Sequence, residues 1–292
     1  MERKLAIDVA NAITSFEAAL HYFELKTKLY HIIFRGKGLE FDRFRVYTPD
    51  DDASLIDWKA SMRAQKTLVR QYKEERDQKI VFIIDVSDSM IFGSGKKLKC
   101  EYAAEMVLAL AHLIITSGDK AGLVMFGNNL VYEVRPQAGI KHLSLLIDTL
   151  SKAEFYGDTP NLNKALEYVA DYLPESLSAV FIVSDFLHTN NDFERNMQLV
   201  AKKFETIALM IKDPRDMQLP DTALEVTISD PVSGRQLVVN PKVAKQHYEY
   251  LAKKYEHKVL QQFQRVGVDT LKIMTDEEFA FPLARFLKER VS

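Results

Sequence analysis

One carboxylate and two hydroxyls stand at alternate positions in the stretch Ile80 to Ser89, IVFIIDVSDS. Asp85, Ser87 and Ser89 are all hard oxygen donors, which suit Mg²⁺ or Mn²⁺ far better than zinc, an ion that prefers nitrogen and sulfur. They follow Ile80 to Ile84, an unbroken and largely β-branched apolar run. That pattern predicts a strand buried on both faces, in the middle of a parallel sheet. Open α/β sheets place ligands at the carboxyl ends of such strands. A second apolar run, SAVFIVSD from Ser178 to Asp185, also ends on a carboxylate, so two strands deliver acids to one sheet edge. Two unit negative charges about 4 Å apart repel by roughly 4 kcal/mol at an effective dielectric of 20, so Asp85 and Asp185 together would invite a cation.

The elements that must position these groups follow from periodicity. Leu5, Val9, Ile13, Phe16, Leu20 and Phe23 recur at helical spacing, which predicts an amphipathic first helix in need of a surface to cover. From Leu29 to about Gln71 aromatics alternate with charges, and Gly36, Gly38 and Pro49 to Asp52 punctuate the stretch. It reads as a small β-rich element of short strands and turns. Its aromatics Phe41, Phe44, Tyr47 and Trp58 are expected to pack against the main domain, because together they are too apolar to stay solvated. Asp57 and Arg63, flanking Trp58, read either as a surface ion pair or, with Trp58, as a partner-binding site.

Beyond the Asp85 loop, a helix is expected over Lys97 to Thr116, a strand over Ala121 to Phe126, and a tight turn at Asn128-Asn129. The turn makes the strand Leu130 to Val134 antiparallel at the sheet edge. Helices near Leu143 to Leu150, Asn163 to Leu173 and Phe193 to Phe204, with a strand at Thr206 to Ile211, continue the alternation of a doubly wound α/β sheet. A hairpin over Glu225 to Val239 turning at Asp230 to Gly234, a long helix from Pro241, a strand at Asp269 to Met274 and a closing helix end the chain. The domain reading is residues 1–78 for the first helix and β-rich element, and 79–292 for the α/β domain with its C-terminal helical extension.

Composition narrows the class. The chain has 292 residues, 47% of them hydrophobic, and a net charge of −2, a balance that gives no general reason to expect nucleic acid as a partner. Acidic residues at Glu2, Asp8 and Glu17 interrupt the start, unlike a signal peptide, and no run reaches membrane-spanning length, so no membrane insertion is expected. Cys100 stands alone, which excludes an internal disulfide and fits a reducing cytoplasm.

The D-x-S-x-S pattern of Asp85, Ser87 and Ser89 resembles the metal-ion-dependent adhesion site of von Willebrand factor A domains. The family's later threonine and aspartate match Thr159, in YGDTPNLNKAL, and Asp185, in FIVSDF. The spacing from Thr159 to Ala165-Leu166 is one residue longer than usual, which strict counting would assign to Pro160; a one-residue bulge keeps Thr159, and Asp158 is the nearest substitute. The resemblance implies a von Willebrand factor A (Rossmann-like) fold, an Mg²⁺ (or Mn²⁺) ion held directly or through water, and an open position that a partner carboxylate fills.

Residues Ile56 to Arg63, IDWKASMR, are similar to the core signature of the family called domain of unknown function 58, and the C-terminal stretch resembles that family too. Asp51 and Ser54 depart from it, where a glycine and a basic residue are usual. The resemblance implies a non-catalytic cytoplasmic adaptor that works with a MoxR-like AAA+ ATPase and a client protein. Two other readings compete. A phosphohydrolase of haloacid dehalogenase type needs a second aspartate where Ser87 stands, with Asp88 one residue late; a structural scaffold would leave the metal site empty. FGSGKK, Phe92 to Lys97, lacks the glycine at Met90 and the hydroxyl at Lys97 that a nucleotide loop requires. His188 has no second histidine or cysteine at metal spacing and reads as a surface residue.

Overall fold

The computed structural model describes residues 4–23, 25, 39–48, 51–74, 78–190, 192–222, 224–229 and 234–290, with 39–42 and 71–74 as backbone. The punctuation at Gly36 and Gly38, the side chain of Phe41 and most of the turn at Asp230 to Gly234 lie outside them. Helix α1, Val9–Tyr22, buries the stripe Ala12, Phe16, Ala19 and Leu20, and Asp8 caps it by accepting from the Asn11 amide at 3.1 Å.

Strands β1, Leu39–Val46, and β2, Leu68–Glu74, pair antiparallel. Between them stands a helix, α2, Trp58–Ala64, that the reading of short strands and turns omitted. Asp57 starts it by accepting from the Ala60 amide at 2.9 Å, and Gln65, left-handed at φ 52°, ends it. Ser61 faces inward: its hydroxyl donates to the Asp57 carbonyl at 2.7 Å and accepts from the Leu68 amide at 2.8 Å. Trp58 and Met62, one turn apart on the other face, are 67% and 73% exposed, and Phe44 is 42% exposed. The expected burial of these aromatics is therefore corrected for Trp58 and Phe44: Trp58 is on the outer face of a short helix whose inner face Ser61 occupies, and Phe44 stands on β1 with much of its ring exposed. The Asp57–Arg63 pair is corrected as well. Asp57 bonds to Arg70 on β2 at 2.7 Å, since a residue ahead of a helix cannot meet a side chain six positions on, where only i+3 and i+4 share a face.

The main sheet contains β3, Lys79–Asp85; β4, Lys120–Phe126; β5, Leu130–Gln137; β6, Ala179–Ser184; and β7, Glu205–Lys212. A small hairpin, β8, Val226–Ser229, with β9, Gln236–Val239, lies outside it, and β10, Asp269–Met274, completes it. Its order is β10-β7-β6-β3-β4-β5, parallel except for β5, which is antiparallel at the edge. Taken in chain order these strands follow the doubly wound 3-2-1-4-5-6 arrangement. Strand period 2 sends Ile80, Phe82 and Ile84 to one face and Val81 and Ile83 to the other.

Helices α3, Lys99–Thr116, and α4, Ile140–Ser151, cover the first face with α1 and α9, Ala280–Glu289. Helices α5, Leu162–Tyr172, α6, Phe193–Lys203, and α8, Pro241–Val266, cover the second. The short turn α7, Pro214–Met217, follows β7. Because α1 lies across its outer side, α3 is buried nearly all round. Two acids inside it hold the segment before α1: Glu101 accepts from the Ala6 amide and Glu105 from the Asp8 amide, each at 2.8 Å. Cys100, on the same helix, is buried, and desolvation first, with Glu101 beside it, pushes its thiol up to about 12. Only the thiolate is reactive, so native protein at pH 8 is expected to resist a thiol-specific dye that labels the urea-unfolded chain at once. Fast labelling of the native fold would show that α3 opens readily.

Candidate functional site

The site grows out of the reversal in strand order, where β3 and β6 lie side by side. Ile84 pairs with Val183, so Asp85 stands level with Ser184 and Asp185 one residue beyond. The Ser184 hydroxyl donates to Asp85 Oδ2 at 2.6 Å, and the Ser87 amide donates to Oδ1 at 3.0 Å. Ser87 and Ser89 are buried, with their hydroxyl oxygens 3.2 Å apart. Burial first, and then the charge of Asp185, push the Asp85 carboxyl above the usual carboxylate range. It is a group that a neighbouring cation would relieve.

Asp185 sits differently. Its Oδ1 accepts from the Leu187 amide at 3.0 Å, and its Oδ2 accepts from Lys99 Nζ at 2.7 Å. Burial opposes its charge, but the Lys99 and Lys212 ammoniums outweigh it and hold the carboxyl below the usual range. Phe186, next along, is left-handed at φ 50°, a conformation costing a non-glycine residue about 1 kcal/mol or more. Its buried ring, edge-on to Phe193 and Phe263, holds it there.

Thr159 is exposed, and its amide donates to Asp158 Oδ1 at 2.7 Å. Asp158 fastens this loop to the motif. Its carbonyl accepts from the Asp88 amide at 2.9 Å and its Oδ2 from the Asn128 amide at 2.8 Å, and the Gly157 amide donates to the Val86 carbonyl at 2.9 Å. Asp158 also fills the space a side chain at Gly127 would need: a Cβ there would overlap its carboxylate. Gly127→Ala is expected to cost about 1–3 kcal/mol by overpacking, read as a lower urea midpoint with unchanged slope. An unchanged midpoint would mean that the Asp158 clasp yields freely.

The donor set fits a small hard cation. Octahedral Mg²⁺ at about 2.1 Å from oxygen spaces neighbouring ligand atoms by roughly 3 Å, and the two serine hydroxyls already face each other at 3.2 Å beside an electrostatically unrelieved carboxylate. Among the described residues no three His, Cys, Asp or Glu side chains gather as a metal cluster, so a cation here depends on the hydroxyls, a set that disfavours zinc. Asp85, Ser87 and Ser89 would hold the ion, with Asp185 behind and Thr159 at the rim.

Lys99, Asp216, Lys212 and Ser184 form the surroundings of the site and escaped the sequence reading. A signal existed: Lys99, Glu101 and Glu105 interrupt a helix whose remaining residues leave no polar face. Asp57, Trp58 and Arg63 belong to a separate place, the α2 region.

Strand order, helices on both faces of the sheet and the position of the acids define a doubly wound α/β domain with a fold of von Willebrand factor A type. Residues 43–260 match the family described as Protein of unknown function DUF58, and the chain belongs to that family. The uncharacterized protein Mb1516 of Mycobacterium bovis is 26% identical over 258 residues, 87% of this chain and 80% of that protein. The uncharacterized protein Rv1480 of Mycobacterium tuberculosis is similar to the same extent. Among solved structures, the conserved hypothetical protein BatB from Bacteroides thetaiotaomicron has a TM-score of 0.50 at 12% identity, over 73% of this chain and 98% of that one. A von Willebrand factor type A protein from Catenulispora acidiphila has a TM-score of 0.37 at 19% identity, over 50% of this chain and 35% of that one. Among the described residues no helix is long and apolar enough to cross a membrane.

Proposed function

We propose that this chain is a non-catalytic protein-binding adaptor of the cytoplasm whose partner contact depends on a divalent cation, Mg²⁺ or Mn²⁺. The observation that carries the reading is the pair of facing hydroxyls, Ser87 and Ser89, beside a carboxylate that no cation pairs with among the described residues, at the strand-order reversal of the sheet. A bound ion would supply a Lewis-acidic position open to an anionic oxygen of the partner. The chain's own residues do the rest: Ser184 and the Ser87 amide orient Asp85, and the Asp158 clasp keeps the loop carrying Thr159 beside the motif.

The partner we propose is a MoxR-type AAA+ ATPase or its client. The exposed Trp58 and Arg63 on α2 offer a second contact, while Asp57 is already engaged with Arg70. Surface plasmon resonance against the cognate ATPase, with Mg²⁺ and with chelator, tests the reading. Association that disappears on chelation and returns with Mg²⁺ supports it. Equal affinity in both buffers would remove the metal site from the contact and leave the α2 surface as the leading one.

A further inference from the structure

A lysine stands where a second metal contact would be expected. Lys99 is the first residue of α3, only 1% exposed, and its Nζ lies 2.7 Å from Asp185 Oδ2 and 3.0 Å from Asp216 Oδ2. Phe92 covers it, with its ring centroid 5.8 Å from the ammonium. Lys212, at the end of β7, is buried beside the same carboxylates. Both oxygens of Asp185 are thus occupied, one by an amide and one by an ammonium. Among the described residues those of Asp85 meet only neutral donors.

We propose that Lys99 is a built-in cation that takes Asp185 out of direct metal contact, so that Asp185 acts as a positioning residue and Asp85, Ser87 and Ser89 alone touch the divalent ion. The inference rests on the metal reading above and adds a division of labour between its two acids. Lys99 keeps the charge of Asp185 engaged, so of the two acids at the ends of β3 and β6 only Asp85 faces the ion without an ammonium on it. A divalent ion that meets one unengaged carboxylate rather than two binds modestly and keeps more of its own charge, which favours a further anionic oxygen from outside. Without Lys99, Asp185 would be free to ligate, and the ion would be held more tightly with less of its charge left for a partner. Lys99 therefore trades affinity for the ion against affinity for the partner's oxygen.

A double-mutant cycle with Mn²⁺ as probe, read by calorimetric titration of the full chain, tests this. Lys99→Met is expected to bind Mn²⁺ at least about tenfold more tightly than the native chain, because a carboxylate near a dication is released from its ammonium. Adding Asp185→Asn should erase that gain, so that Asp185→Asn costs far more in the Lys99→Met background than in the native one. Non-additivity of this sign separates an exchange of partners from a merely structural role. In the native background Asp85→Asn should abolish binding, whereas Asp185→Asn should weaken it by a factor at least about tenfold smaller. That comparison decides the matter even if Lys99→Met does not fold. An affinity in Lys99→Met equal to or below the native one, or equal losses from the two aspartate variants, overturns the inference and leaves the metal reading standing. Failure of every protein to bind Mn²⁺ overturns both.

Discussion

Replacing Asp85 with alanine is expected to abolish binding of Mg²⁺ and Mn²⁺ and, with it, chelator-sensitive association with the partner, while the domain stays folded. The carboxylate is the one charged group among the three residues that would hold the ion, and the hydroxyls of Ser87 and Ser89 are too weak as ligands to hold a cation alone. The fold should tolerate the change, because Asp85 is an electrostatic burden without a cation: burial and the charge of Asp185 both raise its pKa. Against that relief stand two lost acceptors, for the Ser87 amide and the Ser184 hydroxyl, worth about 1–3 kcal/mol if left unpaired. The two effects oppose, so the melting temperature without added metal should move by only a few degrees. The same raised pKa sets the sign of a pH effect. The ion needs the deprotonated carboxylate, so its affinity should fall on acidification at a pH above the ordinary carboxylate value. Calorimetric titration across pH checks both statements. Native-like Mn²⁺ affinity in Asp85→Ala would remove Asp85 from the site.

Lys99→Met is expected to produce the largest loss of stability of any single change at the site. The ammonium is held by two carboxylates in a nearly water-free position. Removing it leaves Asp185 buried with an amide and Lys212 as its remaining support, and truncating one partner of a buried pair costs about 3–5 kcal/mol. In a chain of this size that corresponds to a melting temperature lower by roughly 5–8 degrees. Lys99→Arg should cost less, since it keeps the charge although not the shape of the ammonium. Mn²⁺ should raise the melting temperature of the methionine variant by more than it raises that of the native protein, because at a given concentration stabilisation grows with the logarithm of ligand affinity. Scanning calorimetry with and without Mn²⁺ measures all three quantities. A melting temperature for Lys99→Met within a degree of native would mean that the charges of Asp185 and Asp216 are satisfied by other means.

The sequence by itself determined the two central strands, since a continuous apolar run such as Ile80 to Ile84 or Ala179 to Val183 needs burial on both faces and so dictates its own place in a sheet. It also determined that Asp85 and Asp185 follow those runs, that Asn128-Asn129 turns β5 back antiparallel, and that Pro241 opens a long helix. Helix α2 was less legible. Its Trp58–Ala64 span is too short to show a helical period, and only the capping aspartate announces it. Which of its residues turn inward depended on the strand it lies against. The partners of the acids were not legible at all. Asp57 found Arg70 rather than Arg63, and Asp185 found Lys99, 86 positions away in the chain. The tertiary structure alone decides such pairings, because the free energy of a buried charge depends on how much water it has lost and on which opposite charge the packing of distant elements brings within a few ångströms.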